Sequence, residues 1–208
     1  MMKFIRLNLK YPATAQVRGI TGSALVLFIV DRNGKIASAV VTNALLRVLD
    51  DGMSTRLHYT LADQKGLAYS IHAAIEPLAD TALFEITGAT ANAKVPALVR
   101  ELLGLLDGLR RGNVTDDELA KARVRYRYET LASIDDAAAM AGWFGGTALY
   151  YPPTQLSERL AAMDRIGIDE VVRIADTVLV PQHLVIAAVG TLSRARLGEL
   201  RQAVTDWR

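Results

Sequence analysis

The sequence predicts an α+β fold, with a largely antiparallel sheet and helices packed on one face. Three observations carry this. Apolar periodicity switches along the chain between steps of two and steps of three or four, in the order β, α, β, β, α, α, α, β, α. Two β-like segments adjoin through a connection of hairpin length, which makes them antiparallel. No low-complexity stretch or linker divides residues 1–208, so a single domain is expected.

Phe4–Leu9 alternates apolar and polar residues and reads as a strand, ended by Tyr11-Pro12. Residues 13–23 read as a loop or irregular strand. Ala24–Val30 is a continuous apolar run and reads as a buried strand, followed by a turn at Asp31-Arg32-Asn33-Gly34. Ile36, Val40, Val41, Leu45 and Val48 then recur at helical spacing, so Lys35–Asp50 is a helix, with Gly52 as its C-terminal cap. Ser54–Gln64 reads as a second short helix stopped by Gly66. Leu67–Ile75 and Thr81–Thr87 are the hairpin strands.

Ala93–Arg110 places Val95, Leu98, Val99, Leu102, Leu103, Leu106 and Leu109 on one broad apolar face. Thr115-Asp116-Asp117-Glu118 is a capping box and opens a helix through at least Ala132. Trp143-Phe144-Gly145-Gly146 interrupts the next stretch. Leu156–Met163 and Asp169–Val178 are shorter helices, His183–Val189 is a strand, and Ser193–Val204 is a closing amphipathic helix.

The composition excludes several function classes. A chain that is 51% hydrophobic and 22% charged is not disordered. Without cysteine it holds no disulfide and no thiolate-ligated metal. Its 24 basic and 22 acidic residues nearly cancel, which gives no basic face for nucleic acid. The longest apolar run is too short to span a bilayer, and the N-terminus has no apolar core of a signal peptide. If Met1 is the native start, a cytoplasmic location is expected. If the chain is a segment of a longer one, a periplasmic location is also compatible.

The histidines are His58, His72 and His183, and no two share the i, i+4 spacing of a zinc helix. His72 and Glu76 lie four apart in a segment that reads as strand, so they do not share a helix face. No metal or other cofactor is expected. There is no nucleophile elbow and no phosphate loop. The paired carboxylates Asp50-Asp51 and Asp135-Asp136 read as solvated or capping groups at helix ends. Arg123–Tyr128 interleaves arginine with aromatic residues, but on a helix these spread around the cylinder and read as a solvated face with partial tyrosine burial. No catalytic residue emerges.

Three stretches, in order, resemble the insulinase-like zinc metallopeptidases of the pitrilysin clan. They are Asp51–Leu57 with Gln64–Ser70, then Gly112–Ala122, then Leu160–Gly190. The first, with its Gly66-Leu67-Ala68-Tyr69 run, is the most specific. Members of that family are built from homologous halves, one with an HxxEH zinc helix and one without. The resemblance is to the non-catalytic, C-terminal-type half. The helix Lys35–Asp50 occupies the place of the zinc helix, and its middle, Val40–Leu45, carries no ligand.

The resemblance implies a zinc-less half that completes a peptide-substrate chamber with a zinc-bearing partner half, or with a second copy of itself. It also implies substrate contact by a tyrosine, matching Tyr69, and by an arginine whose position here is Ala62. A neutral tyrosine can donate a hydrogen bond to a peptide carbonyl. The charge-assisted part is missing. Two alternatives stand beside this: a structural or assembly subunit with no role in proteolysis, and a self-dimerising binder of peptides or small ligands.

Overall fold

The computed structural model describes residues 23–30, 36–77, 82–146, 148 and 154–207. The strand expected at Phe4–Leu9 and the turn expected at Asp31–Gly34 lie outside these residues. Among the described residues four strands form one sheet in the order β2-β3-β1-β4. They are β1 (Ser23–Val30), β2 (Ser70–Pro77), β3 (Ala82–Ala89) and β4 (Leu184–Val189). Every pairing is antiparallel. In the register Ala73 lies opposite Ile86, Ile86 opposite Val26, and Val26 opposite Ile186. The predicted α+β class with an antiparallel sheet and helices on one face is therefore the class observed.

The helices are α1 (Ile36–Leu49), α2 (Val95–Arg110), α3 (Asp116–Ala132), α4 (Ala137–Ala141), α5 (Leu156–Arg165), α6 (Ile168–Val178) and α7 (Arg194–Asp206). Alternation decides which side of the sheet they cover. Ile71, Phe84, Ile86, Ile186 and Ala188 are buried, whereas His72, Ala74, Glu76 and Thr87, one residue out of phase, are exposed. Period-two side-chain geometry thus gives one apolar face and one open face.

The apolar face predicted for α2 forms the middle of the core. Val95, Leu98, Val99, Leu102, Leu103, Leu106 and Leu109 are all buried. Around it pack α6 and α7, while α1 packs against α3 and α6. Burying one leucine is worth about 1.5–3 kcal/mol, so this row alone outweighs any local propensity term.

Capping matches the sequence pattern. The Thr115 side chain accepts the N–H of Glu118, and the Glu118 carboxylate accepts the N–H of Thr115 at 2.9 Å. Asp136 caps α4 by accepting the N–H groups of Ala138 and Ala139.

Three boundaries differ from expectation. The helix expected over Ser54–Gln64 starts at Leu57 and is wound wide, as a π-helical segment over Leu57–Gln64. The N–H groups of Leu67 and Ala68 both turn back to the carbonyl of Leu61, which holds these residues off the sheet and delays β2 to Ser70. Gly52 is in the left-handed region, with φ 106°, but it sits beyond Asp50 and Asp51 rather than directly after the helix. There it reverses the chain instead of capping α1.

Candidate functional site

The middle and end of α1 carry hydrocarbon and no metal ligand. Ala44, Leu45, Val48 and Leu49 of α1 are buried in the core. Among the described residues no group of histidine, cysteine or carboxylate side chains could hold a metal ion. The described residues do not fit zinc. The histidines lie apart, each with its own surroundings. His58 Nδ1 is 3.7 Å from Asp63, and His72 Nδ1 is 3.8 Å from Asp50. His183 sits in the turn Pro181–His183 ahead of β4.

Tyr69 immediately precedes β2. Its backbone N–H donates to the carbonyl of Ala89 at 2.8 Å, which pins the main chain to the end of β3. Its side chain is free of the core, at 93% exposure. An ordinary strand tyrosine is half buried, so this ring is presented rather than packed. Ala62 lies in the π-helical segment and is half-buried. On the same end of the sheet, Val189 closes β4 and is also exposed.

The loop after α1 is tied down by charge. Arg47 Nη1 donates to Asp51 at 3.1 Å, and its Nη2 donates to Glu129 of α3 at 2.5 Å. Arg125 Nη1 lies 3.4 Å from Asp51. Burial pushes the Asp51 carboxyl above its usual range, against the opposing charge of Arg47. Hydrogen bonding from Arg47 holds Glu129 below its usual range. Burial weighs against the Arg47 guanidinium, but its bonds to Glu129 and Asp51 leave its pKa raised. One turn on, Arg56 forks onto Glu118 at 2.6 and 2.7 Å. Burial opposes the charge of Glu118, and the bonds from Arg56 and Thr115 overcome it, so its pKa is lowered.

This corrects the expectation that Asp50-Asp51 are solvated. Their side chains are only 14% and 11% exposed. Arg47 is a local partner of Asp51, four residues before it, but Arg125 lies more than seventy residues away in sequence and the Ala73 N–H that Asp50 accepts lies in another element, so no local pattern could reveal those two. The expectation for Arg123–Tyr128 stands: Tyr126 is buried and Tyr128 is exposed.

Beside the loop is a cavity of ≈ 80 Å³ lined by Arg47, Asp51, Thr55 and Arg125. That is well below the roughly 300 Å³ of a small ligand pocket. A wider groove of ≈ 420 Å³ runs between the π-helical segment and α2, past Tyr59, Gly104 and Gly108.

Residues 36–126 match the sequence model of the Peptidase M16 inactive domain. These residues resemble an M16 inactive domain. The matched span begins at α1, the helix without ligands, and includes Tyr69 and the Arg56–Glu118 tie. The resemblance to the zinc-less half of the insulinase-like peptidases is thus borne out. Among curated proteins the chain is similar to the zinc protease PqqE of Helicobacter pylori, 28% identical over 138 residues. That match covers 66% of this chain and 31% of the relative. It is also similar to an uncharacterized zinc protease of Streptomyces coelicolor, 26% identical, covering 75% of this chain and 34% of the relative. The chain therefore spans about a third of the length of these relatives.

Solved structures share the fold of the M16 inactive domain. A protease from Helicobacter pylori superposes with a TM-score of 0.76 at 22% identity, over 82% of this chain and 41% of that one. The inactive peptidase domain of a zinc protease from Bordetella parapertussis gives 0.73 at 17% identity, over 84% of this chain and 94% of that one.

Proposed function

We propose that this chain is the zinc-less half of a two-part peptidase, and that it completes a peptide chamber with a zinc-bearing half. The observation that carries the reading is the pairing of a ligand-free α1 with a presented Tyr69 on an M16 inactive domain. The open sheet face supports it. An exposed sheet side, with the exposed side chains of Tyr69 and Val189 at one end of the sheet, is the kind of surface that a partner covers. The Tyr69 hydroxyl donates a hydrogen bond to a peptide carbonyl in the chamber and leaves the chemistry to the partner's metal. With alanine at position 62, that contact is neutral and modest.

The experiment is reconstitution. The chain is mixed with a zinc-bearing half, and peptide cleavage and complex formation are measured. Stimulated cleavage supports the proposal. A complex that never forms, and cleavage that never rises, refute it. The absence of the arginine at Ala62 favours a second reading, that of an assembly subunit which binds the partner but not the peptide. Tyr69→Phe separates the two: loss of cleavage with the complex intact supports peptide contact, and unchanged cleavage supports the scaffold.

A further inference from the structure

Two carboxylates, Asp50 and Asp51, follow the last residue of α1. A helix C-terminus carries partial negative charge, so a carboxylate there is unfavourable unless something answers it. Arg47 and Arg125 answer Asp51. Asp50 is answered by main chain, because its Oδ2 accepts the N–H of Ala73 at 2.6 Å. Ala73 lies in the middle of β2, and among the described residues β2 ends the sheet order. Its N–H turns to Asp50 and away from β3. An outward N–H on an edge strand is the group that an arriving strand uses. The Asp50 oxygen stands where the carbonyl of that strand would stand.

We propose that Asp50 is a plug: the β2 edge is a strand-addition surface for an extended peptide, and the carboxylate holds it closed. The occupant follows from charge. The outward positions of β2 and β3 are His72, Ala74 and Glu76 and Leu83, Glu85 and Thr87, which include two carboxylates and no lysine or arginine. A basic side chain opposite Glu76 gains a cross-strand pair. The peptide that fits is therefore extended and carries lysine or arginine at alternate positions. The proposal rests on the chamber reading only in taking the ligand to be a peptide.

The test uses the full chain and a ten-residue peptide of alternating lysine and valine, with a twin N-methylated at every second amide. Methylation removes strand pairing and keeps the charge. Asp50→Asn keeps an acceptor for the Ala73 N–H, whereas Asp50→Ala does not. Wild type and Asp50→Asn are expected to bind the peptide weakly and equally. Asp50→Ala is expected to bind it about tenfold more tightly or better, with no gain for the twin. The Ala73 amide should exchange fast in Asp50→Ala and become protected when peptide is added. Equal affinity across the three proteins, or equal binding of the twin, overturns the proposal. Should Asp50→Ala fail to fold, Asp50→Ser shortens the reach and serves the same comparison. No zinc-bearing half is present, so a negative result here leaves the chamber reading standing, and failed reconstitution leaves this result standing.

Discussion

Replacing Gly52 with alanine should destabilise the protein by about 1–2 kcal/mol. Gly52 has φ 106°, and a left-handed backbone costs an L residue roughly 1–2 kcal/mol. A Cβ there would also lie 2.5 Å from Arg125 Nη1 and 2.9 Å from Nη2. The guanidinium is the free end of a flexible side chain, 47% exposed, so it can move. Moving it forfeits a partly exposed contact with Asp51, worth at most about 1 kcal/mol. Fewer unfolded conformations return about 0.4–1 kcal/mol, which sets the net. Urea unfolding measures the loss directly, and a domain of this size should lose about 2–4 °C in Tm per kcal/mol. In an Arg125→Ala background the steric part disappears and the strain remains. A Gly52→Ala protein within about 0.5 kcal/mol of wild type would refute the reasoning. So would a cost that vanishes entirely once Arg125 is gone.

Leu106→Ala, in the buried row of α2, should cost about 2–5 kcal/mol in urea unfolding, because it truncates a fully buried side chain and leaves a cavity. Thr115→Ala removes the cap of α3 and should cost about 1 kcal/mol, visible in the same assay. The lowered pKa of Glu118 fixes a sign. Its contribution is fully present above the ordinary glutamate value and disappears as pH falls through the lowered folded value. Asp51, with a raised pKa, works in the opposite sense: its share is largest below the ordinary aspartate value and is lost as pH rises through the folded value. Between about pH 5 and pH 3 the wild type should therefore lose stability relative to Glu118→Gln, in which this contribution is absent. Ala62→Arg restores a cation seven residues before Tyr69, so in a reconstituted complex it should lower KM for peptide if Tyr69 contacts substrate.

Much of the fold was legible because period decides burial. The leucines of α2 and the alternation of β3 state their buried faces outright, and the Thr115–Glu118 spacing states a helix start. The wide winding of Leu57–Gln64 was not legible, because periodicity over eight residues does not separate an α from a π path. Nor was the late start of β2, which depends on two N–H groups sharing the Leu61 carbonyl. The ligand-free α1 and the presence of Tyr69 could be read directly. The exposure of that ring could not, since a bend ahead of the strand overrides the alternation that would have turned it inward. The environments of Asp50 and Asp51 depended on β2 and α3, so only the folded chain shows them.

The Glu118 carboxylate serves two masters. It accepts from the Thr115 N–H and from the Thr115 hydroxyl, each at 2.9 Å, and it also receives the fork of Arg56. The same two oxygens therefore close the first turn of α3 and moor that turn to the segment leading into the π-helix. Neither element can fray at this point without loosening the other. The residues around Arg56 and those around Thr115 form one cooperative opening unit, and amide exchange in native conditions should give both the same opening free energy.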